Sequence, residues 1–207
     1  MVFQSTKPIT DCAVLQGVKP SPGGVHQGLG THNALAALGN GAYLEILARD
    51  PAQPDPPKTW MAIDTVTTPS LLLWASKRDD LAATVASARL KGYDPGDVQE
   101  FSRADPASGR CLSWQLSYKH YAQPLPGGGI VPFLISWDPS CASFLPPATA
   151  AGGCILRALR AESPEPVEVS AMLEAVGTPA AGLSLTHGQR PRLVATLDTP
   201  HGIVELA

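Results

Sequence analysis

The chain has 207 residues and a formal net charge of -3, with 15 Lys and Arg scattered among 18 Asp and Glu. That balance offers no basic patch for nucleic acid, and neither a charged leader ahead of an apolar run nor a stretch of about 18 apolar residues argues for secretion or membrane spanning. Four cysteines, Cys12, Cys111, Cys141 and Cys154, stand far apart without CxxC spacing, so they read as reduced thiols of a cytoplasmic protein rather than a disulfide framework or zinc site.

The length suits one domain, or two small units sharing a core. With 21 Pro and 19 Gly, the chain should consist of short elements joined by stiff loops. Met1 to Gln4 reads as the stub of a strand and Thr10 through Leu15 as a short helix. The stretch from Pro22 is a Gly-rich loop carrying His26. Two short alternating apolar segments follow, joined at Asn40-Gly41, a pair that favours a tight hairpin turn. The second segment sets Glu45 between Leu44 and Ile46. A carboxylate there must find a partner or shift its pKa, unless it lies on the wet face of a half-exposed sheet.

Asp50 through Lys58 is a proline-rich surface joint, and residues 70–76 read as a strand. Asp79-Asp80 then caps a helix from Leu81 to Lys91, which Gly92 terminates. Strands are predicted near 111–118 and 130–136, then a second proline-rich joint from Pro139 through Gly153. A strand over 154–161 precedes a helix from Val167 to Val176, entered at Pro164 to Pro166 and ended by Gly177. Strands near 182–186, 192–198 and 202–206 close the chain. A strand, a helix and two or three further strands thus occur twice, and a third time in degraded form at the N-terminus. The expected fold is α+β: tandem βαβββ units in curled, largely antiparallel sheets. Residues 1–138 would hold two paired units, the first lacking most of its opening strand, and 153–207 a third.

The run from Pro22-Gly-Gly-Val-His to Gly39, continued by Gly41-Ala-Tyr-Leu-Glu-Ile-Leu-Ala-Arg-Asp-Pro51, resembles the glyoxalase-like domain proteins of the vicinal oxygen chelate superfamily. Pro69-Ser-Leu-Leu-Leu-Trp74, Ser102-Arg103, Leu112-Ser-Trp-Gln-Leu116, Gly127 to Asp138 and Gly153-Cys-Ile-Leu156 follow in the family's order, so most of the chain is covered. The resemblance implies paired units curled into a half-open barrel around a cavity. It also implies metal ligands, mostly His and Glu, from the first and last strands of the pair. Glu45 matches one such position. The segment from Ser70 to Trp74 offers no His or Gln, Phe133 stands where a Glu belongs, and the opening strand is reduced. Near residue 141, where the family commonly carries a His-Pro pair, this chain has Cys141-Ala142. The usual metal site is therefore expected to be lost.

His26 and His32 flank Gly28 and Gly30, and with Glu45 would make a His-His-Glu set suited to zinc, iron or manganese. Isolated loop histidines are more often structural, so no cofactor is expected and a rebuilt metal site is the lesser alternative. His120, His187 and His201 show no partner spacing, and Glu205 holds the ligand-like position of the third unit. Trp74, Trp114 and Trp137 fall in or at the end of strands. With Arg103, Asn33 and His26 at the rim they would line an apolar pocket; singly, each reads as a core residue, and Arg103 would pair with a carboxylate or phosphate ligand or with Asp105 in its own loop. Gly-Leu-Gly at 28–30 is followed by a strand, not the helix a dinucleotide fingerprint needs, and no catalytic serine elbow is present. As the resemblance implies, the protein is expected to bind, and as an enzyme to convert, a small carbonyl or oxygen-rich metabolite. Glu45 would be the acid/base and His26 or His32 would assist. The alternative is a non-catalytic ligand-binding or interaction module. A missing opening strand would expose a sheet edge, whose economical cover is a homodimer.

Overall fold

The computed structural model describes residues 1–5, 15–53, 63, 67–104, 109–118, 125–178 and 182–207. In chain order its elements are β1 (Val2–Gln4), β2 (Ser21–His26), β3 (Thr31–Ala37), β4 (Tyr43–Arg49), β5 (Ser70–Leu73), β6 (Ala75–Lys77), α1 (Leu81–Leu90), β7 (Val98–Ala104) and β8 (Cys111–Ser117). These are followed by β9 (Phe133–Trp137), α2 (Pro146–Thr149), β10 (Ile155–Ser163), α3 (Pro166–Ala175), β11 (Ser184–His187), β12 (Arg192–Thr199) and β13 (Gly202–Leu206). The strands form three curled, unclosed sheets, an α+β arrangement consistent with βαβββ units. Two compact units divide the chain. The first comprises Met1–Leu72, Ser143–Ala158 and Ala195–Ala207; the second comprises Leu73–Ala142 and Leu159–Val194.

In the first unit the sheet order is β2-β3-β4-β1-β5. β3 and β4 are an antiparallel hairpin whose turn sets Asn40 at φ 49° and Gly41 at φ 73°, the left-handed region that these two residue types enter at least cost. The stretch from Pro22, expected as a loop, is the strand β2. A proline and two glycines are tolerated there because β2 is an edge strand, where a missing N–H leaves no ladder bond unmade. β1 is three residues long and pairs parallel with β4, Val2 opposite Glu45. β5 lies on its other side, so the short opening strand exposes no edge and the reason for covering one by self-association falls away. The helix expected over Thr10 through Leu15 lies almost wholly outside the described residues, as do Cys12, Trp60, Asp105 and His120.

In the second unit the sheet order is β6-β9-β8-β7, with β10 and β11 paired in parallel. The segment 70–76 is not one strand: it breaks at Trp74, and β6 pairs with β9. β7 was not anticipated, because its residues are polar on both faces and only partly buried. Asp80 accepts a hydrogen bond from Ala83 N at 2.9 Å, capping α1 as expected. Leu81, Val85 and Ala88 of α1 are buried with Leu134, Ala175 and Val176, and with Tyr93 and Val98 beside them. Burial pushes the Tyr93 phenol up to about 12, the charge of Asp94 adding to it. An unfolded tyrosine ionises at about 10. The stability Tyr93 contributes is therefore complete below that pH and is lost as pH rises through the folded value. In a spectrophotometric alkaline titration, Tyr93→Phe should remove the late-ionising amplitude near pH 12. Loss of amplitude near the unfolded value instead would contradict this burial.

Candidate functional site

Strand register decides which side chains meet in the first unit. Residues directly opposite each other share a face, and alternate residues along a strand return to it. His26 lies opposite Thr31, Asn33 opposite Leu47 and Leu35 opposite Glu45. His26, Asn33 and Glu45 therefore fall on one face, on three adjacent strands. His32 lies opposite Val25 and Ala48, one residue out of step, and faces the other way. The pairing that places His26 beside Glu45 thus takes His32 away from it.

Between Pro22 and Val25 the ladder slips, so that Gly23 and Gly24 together oppose Asn33. This is a β-bulge, and it is filled by the Asn33 side chain. Gly24 N donates to Asn33 Oδ1 at 2.7 Å, and Asn33 Nδ2 donates to Glu45 Oε1 at 2.6 Å. Asn33 Nδ2 also stands 3.4 Å from His26 Nε2, whose distance to Glu45 Oε1 is 3.8 Å. One acceptor and one donor of the carboxamide are committed, so its orientation is fixed by chemistry. With Nε2 accepting from Asn33, His26 Nδ1 carries the proton and donates to Thr31 Oγ1 at 2.8 Å. The side chains of His26 and Glu45 keep 19% and 14% of their exposure, enough to meet a ligand.

Gln53 supports this arrangement, and sequence reasoning missed it. Its Oε1 accepts from Gly28 N at 2.7 Å, and its Nε2 donates to Asp50 Oδ2 at 2.8 Å and to the His26 carbonyl at 3.4 Å. These bonds tie the turn after His26 to the end of β4. Bonds from Gln53 and then from Ala52 N hold the Asp50 carboxyl below the usual carboxylate range. The available signal was Asp50 at a strand end, where its side chain closes a turn on Ala52. Gln4, on the same face by its pairing with Leu47, donates from Nε2 to the Ile63 carbonyl at 2.9 Å. Its buried Oε1 has no partner among the described residues.

Among the described residues no three His, Cys, Asp or Glu side chains are grouped to hold a metal ion. The donor set at the cluster itself is unsuited to a cation. An amide N–H of Asn33 points at the Glu45 oxygen and lies against the His26 nitrogen, where an ion shared by the two would have to sit.

The aromatic residues belong to the second unit and divide between two places. Trp74 stands at the break between β5 and β6, its indole N–H donating to the Ile130 carbonyl at 2.8 Å. Trp114 and Trp137 are directly opposite each other, with ring centroids 5.3 Å apart, and Phe101 stacks on Trp114 at 6.0 Å. Arg103 lies one alternate step along β7, opposite Leu112. An open cleft beside these rings, about 560 Å³, is mainly polar rather than an apolar tryptophan pocket: Ser102, Ser113, Gln115, Ser136, Glu100 and Asp138 contribute to it alongside the aromatic residues.

The chain belongs to the glyoxalase-like domain family of the vicinal oxygen chelate superfamily, whose sequence profile matches residues 2–177. It is also similar to the crystal structure of a hypothetical protein from Staphylococcus aureus, with a TM-score of 0.70 at 12% identity. That match covers 100% of this chain and 96% of the other, and it shows a shared fold. A search of curated proteins returned no match. No helix among the described residues is long and apolar enough to cross a membrane.

Proposed function

We propose that the protein binds, and converts without a metal, a small carbonyl or oxygen-rich metabolite at the His26–Asn33–Glu45 cluster. The observation that carries this reading is the oriented carboxylate. Asn33 takes one Glu45 oxygen and holds the group on a half-buried sheet face, leaving Oε2 for a donor or an acidic proton beside a carbonyl. In this reading Glu45 is the acid/base, Asn33 orients it, and the unprotonated Nε2 of His26 accepts the proton that Glu45 takes up. Trp74 and His32 take no part.

A second reading has its own support. The cluster satisfies its own hydrogen bonds, as a site does that binds without doing chemistry. Calorimetry with hydroxyacetone, glycolaldehyde and pyruvate, followed by product analysis, separates the two. Binding with turnover supports the enzyme, binding without turnover supports the module, and no binding of any of the three counts against the site.

Glu45→Gln should leave stability within about 1 kcal/mol of the parent, because glutamine keeps the size and offers an oxygen to Asn33. It should nevertheless abolish conversion. A variant that melts early and still turns over would reverse the assignment, making Glu45 structural.

A further inference from the structure

One face of the β7-β8-β9 sheet presents a combination that the cluster on the first unit does not use. Register places Phe101 opposite Trp114, Trp114 opposite Trp137 and Arg103 opposite Leu112. Leu134 and Val98, which pack with α1, alternate to the other side, so the aromatic row lies on the face away from that helix. The Phe101 and Trp114 rings are stacked at an interplanar angle of 13°, and Trp137 tilts against Trp114 at 47°. All three are half-buried, forming an angled aromatic surface that remains partly open. Arg103 is the diagonal neighbour of Trp114 across the pair, a separation of roughly 7–8 Å that a long side chain spans.

The guanidinium of Arg103 is incomplete. Its Nη1 is buried and has no hydrogen-bond partner among the described residues. An unmet charged donor costs the fold more than a neutral one, and an acceptor that arrives with a ligand recovers it. Glu100 alternates with Arg103 along β7 and, where it reaches the cleft beside Trp114, accepts from Gln115 Nε2 at 3.4 Å. A planar ring for the indoles and an anionic, two-oxygen acceptor for the guanidinium are what this face lacks. We propose that it binds an aromatic carboxylate, the ring stacked on Trp114 and Trp137 and the carboxylate paired with Arg103.

Calorimetry on the full chain with benzoate, its neutral analogue benzamide, and the non-aromatic cyclohexanecarboxylate tests this. Benzoate should bind about tenfold or more tightly than either. Arg103→Gln should abolish the preference for benzoate over benzamide, and Trp114→Leu should weaken both aromatic ligands alike. Arg103→Lys, which keeps the charge but loses the forked geometry, should fall between; it also serves if the glutamine variant fails to fold. Glu45→Gln should leave benzoate affinity unchanged, which separates this site from the His26–Asn33–Glu45 cluster. Equal binding of benzoate and benzamide, a preference that survives Arg103→Gln, or loss of benzoate binding in Glu45→Gln would each overturn the proposal.

Discussion

Gly23→Ala is expected to unfasten the candidate site while leaving the remainder of the first unit assembled. A Cβ at residue 23 would stand 1.9 Å from Asn33 Oδ1 and 2.9 Å from its backbone oxygen. Asn33 cannot simply turn away, since its oxygen takes Gly24 N and its nitrogen takes Glu45. Either β2 lifts from β3 or the carboxamide surrenders both bonds. Overpacking of this kind costs about 1–3 kcal/mol, which in a chain of this size lowers the melting temperature by roughly 2–12 °C. Asn33→Ala removes the side-chain part of the obstruction and leaves the backbone oxygen at 2.9 Å, so in a double-mutant cycle Gly23→Ala should cost less on that background. Equal cost on both backgrounds would mean that the bulge does not hold the side chain.

Arg78→Ala should produce a large loss of stability in the second unit. Its guanidinium closes the C-terminal end of α3, donating to the Val176 carbonyl from both Nε, at 3.2 Å, and Nη2, at 2.7 Å, and to Thr178 Oγ1. Nη1 binds Ser76 Oγ at 2.8 Å and the Lys77 carbonyl at 2.7 Å. The end of a helix carries unpaired carbonyls and partial negative charge, so a cation there satisfies both needs. Removing it strands the Val176 carbonyl beside the buried Val176 and Ala175 side chains. A cost of about 2–4 kcal/mol follows from losing several charge-assisted bonds at once. Denaturant unfolding measures it, and Arg78→Lys should recover only part, because one ammonium cannot reach both strand and helix acceptors. Full recovery by lysine would show that charge alone matters there.

Much of the fold was legible because its signals are local. Asp80 and Gly92 bracket α1, Gly177 ends α3, Asn40-Gly41 turns the hairpin, and the apolar alternation of β4 places Glu45 on a strand. What was hidden depended on pairing partners. Pro22-Gly-Gly reads as a loop until β3 is set beside it. The same residues then become an edge strand with a bulge shaped for Asn33. β7 carries no apolar stripe and exists because β8 pairs with it. The candidate site was legible in part for the same reason. Glu45, His26 and Asn33 meet as strand neighbours, whereas His32 differs from His26 only by register, a quantity that spacing along the chain does not fix. Gln53 and Thr31 escaped notice because their roles are to position His26, and neither residue type marks that role in a sequence.

The central claim is that a small oxygen-rich ligand meets His26 and Glu45 on the sheet face away from His32. The most direct test follows the imidazole resonances of the five histidines by nuclear magnetic resonance during titration with hydroxyacetone, with His26→Gln used to assign the critical signal. The account predicts a saturable shift of His26, no shift of His32, and loss of the response in Glu45→Gln. A saturable shift of His32 while His26 stays fixed would contradict it.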